Sequence, residues 1–240
     1  MRALTAAEIL RIWELGQDRP RWQRGLLLLA PCFPDRRPSE LALLPLEQRN
    51  RLLLRLRERT VGAIVDALVH CPVCHTPLEF RMTVHELLEE AEAGKEQGEV
   101  QFEGVTLRYR LPNSHDLAAA AACSDLPQAT LSLWQRSIVD GLDRVEQSAA
   151  LRAVECVEAE IARCSPLTDI RIALRCVANE THVWLASLDV VAYFWAELDR
   201  MARQLLDDVQ TLARGYGWQE AGILAMSESR RQFYLGALHS

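Results

Sequence analysis

The strongest chemical signal in the sequence is the pair Cys71 and Cys74 in the run CPVC. Two thiolates separated by two residues can bind one side of a tetrahedral zinc ion, because the turn between them directs both sulfur atoms the same way. A redox role is disfavoured, since redox CxxC pairs open a helix in a βαβ unit. Here alternating, strand-like residues follow Cys74 instead.

A second copy of this segment occurs later in the chain. The stretch ALVHCPVCHTPLEF (67–80) resembles IALRCVANETHVWL (172–185), and each cysteine turn lies between two strand-like runs that lead to a helix. Each copy also follows a helix that opens in similar residues, LEQ at 46–48 and VEQ at 145–147. We interpret the two copies as a tandem duplication whose knuckles face each other as in a zinc ribbon.

The second knuckle has lost one ligand. Asn179 stands where a CxxC starting at Cys176 would place its second sulfur, and His182 is available as a substitute. The resulting candidate metal ligands are Cys71, Cys74, Cys176 and His182. This set is chemically adequate for structural zinc, with His70 or His75 as further alternatives. Two interpretations stay open at this point: a structural zinc site, or a remnant that keeps the shape of the site without a metal.

Composition limits the class of protein. The chain has 240 residues, a net charge of −6 and 49% hydrophobic residues, which is typical of a globular protein and excludes a disordered or disulfide-dense secreted chain. The first residues lack the features of a signal peptide, and the longest strongly apolar stretch, about 25–31, is far too short to span a membrane. We therefore expect a cytoplasmic protein whose seven cysteines stay reduced. The acidic balance also disfavours nucleic acid as a partner.

No motif for catalysis is present in the sequence. It contains no P-loop, dinucleotide-binding glycine motif, HExxH or GxSxG. His115 next to Asp116 is a weak candidate for acid–base chemistry, and pairing His115 with Cys123 as nucleophile is equally weak. A capping role explains His115 and its neighbours better, so we expect no enzymatic activity.

Apolar spacing predicts the secondary structure. Helices are expected over 6–16, 20–30, 46–59, 127–138, 145–163, 218–225 and 228–238, with another starting near Asp116 and the longest running from about Asp189 to Gly215. Strands are expected at 78–82, 100–102, 105–110, 170–174 and 183–188, while 64–70 fits a strand or a helix, and 85–99 a short helix and a loop. The sequence thus predicts a predominantly α-helical α+β fold, with small antiparallel β elements around two zinc-ribbon-like knuckles, the second degenerate. We expect two halves, 1–111 with the CPVC knuckle and a β-hairpin and 112–240 with the degenerate knuckle and the long helix, joined in one integrated unit.

Several segments together resemble a known family. They are LPLEQRNRLLLRLRERTVG (44–62), CPVCHTPLEF (71–80), LRYRLPNSHDL (107–117), SPLTDIRIALRC (165–176) and YGWQEAGILAMSESRRQFYL (216–235). On these segments the chain resembles the baseplate hub assembly chaperone family of contractile-tailed, T-even type phages, whose relatives also occur in contractile injection systems. It departs from the family pattern at His75 and Glu47, where glycines are expected, and at Asn179, where a cysteine is expected.

The resemblance implies a noncatalytic role in assembling the baseplate or spike hub of a contractile tail. The implied partners are baseplate hub, spike or tape-measure proteins, met in the cytoplasm of the bacterial host, with retention in the finished particle left open. The alternative function is a zinc-ribbon-like adaptor that binds nucleic acid or another protein.

Five C-terminal residues are candidates for the contact with such partners, because Tyr, Trp and Arg are the usual anchors of interfaces. They are Tyr216, Trp218, Arg230, Arg231 and Tyr234. The alternative is that they pack against the long helix. Of the five, Arg230 and Arg231 are expected to be the most exposed.

Overall fold

The computed structural model describes residues 1–89 and 95–238. The α-helices in these ranges are α1 (Ala6–Gly16), α2 (Arg21–Leu29), α3 (Pro38–Ala42), α4 (Leu46–Thr60), α5 (Val84–Glu89), α6 (Ser114–Ala120), α7 (Leu126–Ser137), α8 (Ala150–Cys164), α9 (Val190–Tyr216), α10 (Glu220–Leu224) and α11 (Glu228–Leu238). The strands are β1 (Ile64–His70), β2 (Pro77–Thr83), β3 (Gln97–Phe102), β4 (Val105–Arg110), β5 (Ile138–Asp140), β6 (Ile170–Arg175) and β7 (Val183–Leu188). The predicted α+β class with mostly helical content is confirmed.

Local side chains start several of the helices where the sequence predicted. Thr5 and Glu8 form a reciprocal capping box at the start of α1, which satisfies backbone N–H groups that have no partner within the helix. Asn113 makes the same arrangement with Asp116 at the start of α6. The side chain of Asp189 caps α9 by accepting a hydrogen bond from the backbone N–H of Ala192 at 3.0 Å.

The strands form three small antiparallel sheets. β1 pairs with β2 and β6 pairs with β7, and we call these hairpins ribbon 1 and ribbon 2. The third sheet has the order β3-β4-β5. Its hairpin turns at Glu103 and Gly104, which have φ angles of 45° and 83°, as a two-residue turn with two left-handed positions requires. The predicted two-residue connection is therefore confirmed, while β5 was missed.

The largest core cluster holds both halves of the chain together. Buried residues of α1, α2 and α4 pack against α9, and Val65 of ribbon 1 and Ile170 of ribbon 2 join the same cluster. On α9, Phe194 and Leu198 are fully buried in this core. Leu206 lies on another side of the same helix and is 38% exposed.

A buried ion pair also joins α4 to α9. The guanidinium of Arg57 donates from Nε to Oε2 of Glu197 at 3.0 Å and from Nη2 to Oε1 at 2.6 Å. Both side chains are less than 10% exposed. Arg57 also donates to the carbonyl of Gly62 at 2.6 Å, just before ribbon 1. The pair thus fixes the helix that leads into ribbon 1 on the helix that follows ribbon 2.

The element order helix, strand, strand, helix occurs twice, as the sequence echo predicted. It runs through α4, ribbon 1 and α5, and again through α8, ribbon 2 and α9. Several boundaries differ from the expectations. α9 continues to Tyr216 and ends at Gly217, which has a φ of 70°, instead of at Gly215. α3 was not expected, and the loop predicted after α5 includes residues 90–94, which lie outside the described residues.

Candidate metal centre

The turn of ribbon 1 positions the first two cysteines. The backbone N–H of Cys71 donates to the carbonyl of Thr76 at 3.0 Å, and the N–H of His75 donates to the carbonyl of Cys71 at 2.9 Å. His75 has a φ of 59°, in the left-handed region that favours glycine. This is the knuckle position at which the resemblance led us to expect glycine. The tight turn leaves Cys71 buried and Cys74 exposed at its end.

The turn of ribbon 2 has a related geometry but a different side chain at its tip. The N–H of Cys176 donates to the carbonyl of His182 at 3.0 Å, and the N–H of His182 donates to the carbonyl of Asn179 at 3.0 Å. The side chain of Asn179 closes the turn. Its Oδ1 accepts hydrogen bonds from the backbone N–H of Thr181 at 3.0 Å and from the Thr181 hydroxyl at 2.7 Å.

The two turns bring the four predicted ligands together. The Sγ atoms of Cys74 and Cys176 are 3.5 Å apart, and the Sγ of Cys71 is 3.6 Å from Nδ1 of His182. All four candidate ligand atoms lie within 4.8 Å of one another. A tetrahedron with metal–sulfur bonds of about 2.3 Å and a metal–nitrogen bond of about 2.0 Å has edges of about 3.5–3.8 Å. The cluster can therefore bind a metal ion of this coordination.

Hydrogen bonding lowers the pKa of one thiol of the cluster, whereas burial raises the pKa of another. The side chain and backbone of Thr76, with further hydrogen bonds to His182 and Cys176, lower the pKa of Cys74 to about 6. Burial raises the pKa of Cys176 above the usual value of a thiol. Because the thiolate is the form that binds metal, Cys74 is ready to bind at neutral pH. Cys176 would have to release its proton to solvent when a metal ion binds its sulfur.

Other sequence candidates lie outside this cluster. His70 and His75, the alternative fourth ligands, are both exposed and are not part of the Cys/His group that the described residues form. Cys123, in the connection between α6 and α7, and Cys164, the last residue of α8, are half-buried free thiols. The Sγ of Cys164 donates to Oε1 of Glu160 at 3.1 Å, four residues earlier on α8.

The neighbourhood of His115 is a structural network. Asp116, which is 1% exposed, accepts hydrogen bonds from Arg110 and from Arg136. The backbone N–H of His115 donates to Oδ1 of Asn113, the residue that caps α6. With its oxygens held by two arginines, Asp116 is engaged in fixing α6 to β4 and α7, as the capping interpretation of the sequence predicted.

The candidate interface residues form two groups. Tyr216 stacks on Trp218 with ring centroids 4.4 Å apart, and Tyr234 of α11 meets both rings edge-on. This aromatic cluster fastens α11 to the end of α9. Arg230 is exposed on α11, with its guanidinium 5.8 Å from the centroid of Tyr234.

Arg231 corrects the expectation that both arginines are exposed. It is only 7% exposed, its Nη1 donates to the carbonyl of Met226 at 3.0 Å, and its Nε lies 3.5 Å from a carboxylate oxygen of Asp208. The prediction failed because the dipeptide gives no indication of which arginine faces α9. Phe233, which is 72% exposed, was missed. Its position directly beside Tyr234 on a helix could have indicated that it points to a different side.

Among the described residues, no helix combines the length and the apolar character needed to cross a membrane.

A family model described as T4 bacteriophage base plate protein matches residues 26–161. The match covers more than half of the 240 residues and includes ribbon 1, whereas ribbon 2 and α9 to α11 lie beyond it. Neither the curated proteins nor the solved structures include a significant match. The chain belongs to the T4 bacteriophage base plate protein family.

Proposed function

We propose that the protein is a noncatalytic assembly chaperone or component of the baseplate or spike hub of a phage-like contractile tail or injection system. The family match over residues 26–161 carries this proposal, and the resemblance of the segments at 165–176 and 216–235 supports it. The protein acts through protein–protein contacts. It meets its partners, which are baseplate hub, spike or tape-measure proteins, in the cytoplasm of the bacterial host.

The metal of the Cys3His cluster is zinc in this proposal. Three thiolates and one imidazole are a donor set that suits tetrahedral zinc and is common in structural sites. Each ribbon has only two strands, and an isolated two-stranded hairpin is marginally stable in water. Zinc at Cys71, Cys74, Cys176 and His182 would join the tips of the two ribbons and so provide a rigid scaffold.

The surface that contacts the partner is the outer side of α11 in this proposal. Arg230 and Phe233 are both exposed there, and arginine and large aromatic residues are enriched at interfaces. The contacts among Tyr216, Trp218 and Tyr234 hold α11 in place against the end of α9. α11 also forms one wall of an open groove of about 1200 Å³, with other walls from α1 and α9.

A second candidate function is a zinc-ribbon-like adaptor that binds nucleic acid, and the metal cluster between two ribbons is the observation that favours it. The net charge of −6 opposes it, since phosphate contacts dominate nucleic-acid affinity. Titrating the protein with duplex DNA and with RNA at two salt concentrations separates the candidates. An adaptor would show affinity that falls steeply with salt, and an assembly factor would show none.

Crosslinking and affinity purification from cells that are assembling particles test the main proposal. The tagged protein is expected to recover hub, spike or tape-measure proteins. Arg230→Glu combined with Phe233→Ser is expected to reduce that recovery about tenfold, while Arg55→Glu, at an exposed arginine on α4, leaves it unchanged. Recovery of no baseplate protein above an untagged control would reject the proposed function. Equal recovery by both variants would reject only the α11 surface.

A further inference from the structure

Asn179 sits where a zinc ribbon would have its last cysteine, and its side chain contacts the candidate ligand His182. Nδ2 of Asn179 lies 3.3 Å from Nε2 of His182. The other ring nitrogen, Nδ1, lies 3.6 Å from Sγ of Cys71. The imidazole is therefore held between the amide of Asn179 on one side and the thiols on the other.

The orientation of the Asn179 amide follows from its contact with the backbone. The N–H of Thr181 can only donate a hydrogen bond, so the amide atom that faces it at 3.0 Å must be the acceptor Oδ1. The hydroxyl of Thr181 donates to the same oxygen at 2.7 Å. The NH2 group of Asn179 must then face His182. Because an NH2 group only donates, Nε2 of His182 has to accept.

A neutral imidazole that accepts at Nε2 carries its proton on Nδ1. That proton points at the thiols and occupies the lone pair that a metal ion needs. Binding through Nδ1 requires the other tautomer, with the proton on Nε2, and that proton would meet the NH2 group of Asn179. Histidines that bind metal usually donate this second N–H to a carboxylate or carbonyl oxygen.

We infer that Asn179 is a positioning residue that holds His182 in the tautomer opposed to metal binding, and that it thereby weakens the affinity of the Cys3His cluster for zinc. The inference rests on the proposed zinc site. Asn179 is exposed, so its side chain can turn toward solvent when metal binds, at the loss of its hydrogen bonds to Thr181 and His182. Because the second knuckle lacks its last cysteine, its metal site is weaker. The fourth ligand, His182, can bind metal only after its proton moves from Nδ1 to Nε2.

Asn179→Asp is the variant that reverses the effect. A carboxylate has the same shape, keeps one oxygen for the N–H and hydroxyl of Thr181, and offers the other as an acceptor for Nε2–H of His182. Residues that accept the second N–H of a metal-binding histidine change metal affinity by about 10- to 100-fold. Because position 179 is exposed, we expect the lower end, about tenfold tighter zinc binding, in competition with a chromophoric chelator.

A double-mutant cycle separates this effect from simple attraction between the new carboxylate and the metal. In the His182→Ala background, Asn179→Asp is expected to change zinc affinity less than about threefold. An equal gain with and without His182 would overturn the inference, because the carboxylate would then act directly on the metal. No gain in the native background would overturn it as well.

The tautomer itself can be measured without any metal. In the metal-free protein at about pH 8, where an ordinary histidine is neutral, two-bond 15N–1H NMR correlations of His182 are expected to show the proton on Nδ1. In Asn179→Asp they are expected to show it on Nε2. A proton on Nε2 in the native chain would refute the inference even if zinc binds. The predicted tautomer in a protein that binds no zinc would instead refute the proposed zinc site and leave the role of Asn179 intact.

Discussion

Replacing Cys176 by serine should reveal how much the metal stabilises the fold. Cys176 is 2% exposed and is the only cysteine that ribbon 2 contributes to the cluster, with its Sγ 3.5 Å from that of Cys74. A metal that binds the native but not the unfolded chain stabilises it by about 2.7 kcal/mol when its free concentration is about 100 times the dissociation constant. The change of a buried thiol to a hydroxyl costs about a further 1 kcal/mol, because the hydroxyl is poorly solvated there.

Measurements with zinc and with EDTA separate the stabilisation by the metal from the cost of burying the hydroxyl. In the presence of zinc, Cys176→Ser should lower the free energy of unfolding by about 4 kcal/mol relative to the native chain, because it loses both contributions. In the presence of EDTA the difference should fall to about 1 kcal/mol, since the metal contribution is then absent from both proteins. Urea unfolding followed by circular dichroism measures both differences.

Cys156→Ser provides the matched control. Cys156 is a half-buried free thiol on α8 that is outside the cluster. The loss of unfolding free energy caused by Cys156→Ser should therefore be the same with zinc and with EDTA. The reasoning would be refuted if zinc stabilised Cys176→Ser as strongly as the native chain. It would also be refuted if zinc left the native chain unaffected.

Further predictions concern single interactions. Glu197→Gln should lower the free energy of unfolding, measured with urea, by about 3–5 kcal/mol, because it leaves the buried guanidinium of Arg57 without its counter-charge. Replacing both residues by apolar ones should cost less than Glu197→Gln alone. An equal or larger cost for the double replacement would contradict this account. Arg2 and the capping contacts lower the pKa of Glu8 to about 2, so Glu8 stabilises the fold fully above the unfolded pKa of about 4.3 and loses that effect as the pH falls toward 2. Glu8→Gln should accordingly cost about 1 kcal/mol at pH 7 and much less at pH 2, where Glu8 of the folded protein is about half protonated. A cost that does not change with pH would exclude the charge as its cause. His75→Gly should raise the free energy of unfolding by about 0.5–1 kcal/mol, because it removes a side chain from a left-handed backbone position; a loss of stability would show that the His75 side chain makes a contact worth more than this strain.

Local chemistry made much of the fold predictable. The capping pair Thr5 and Glu8 fixes the start of α1 through contacts three residues apart, and the turn at Glu103 and Gly104 fixes the register of its hairpin. The grouping of the four candidate metal ligands was also predictable, although Cys71 and His182 are 111 residues apart. The reason is that the second copy of the segment places equivalent turns at equivalent points of the chain.

What the sequence did not predict depends on contacts between distant elements. α9 continues past Gly215, where Leu238 of α11 packs closely against the glycine, and its left-handed end falls at Gly217 instead. Arg231 is buried only because α11 folds back onto Asp208. Neither local spacing nor propensity contains this information.

The most direct test of the central claim, that this protein takes part in baseplate assembly through protein contacts, is to delete its gene and count particles by electron microscopy of cell lysates. The account predicts that complete baseplates and tails fall at least about tenfold, that the native gene restores them, and that Arg230→Glu combined with Phe233→Ser restores them poorly. A normal yield of complete, contractile particles from cells without the protein would contradict it.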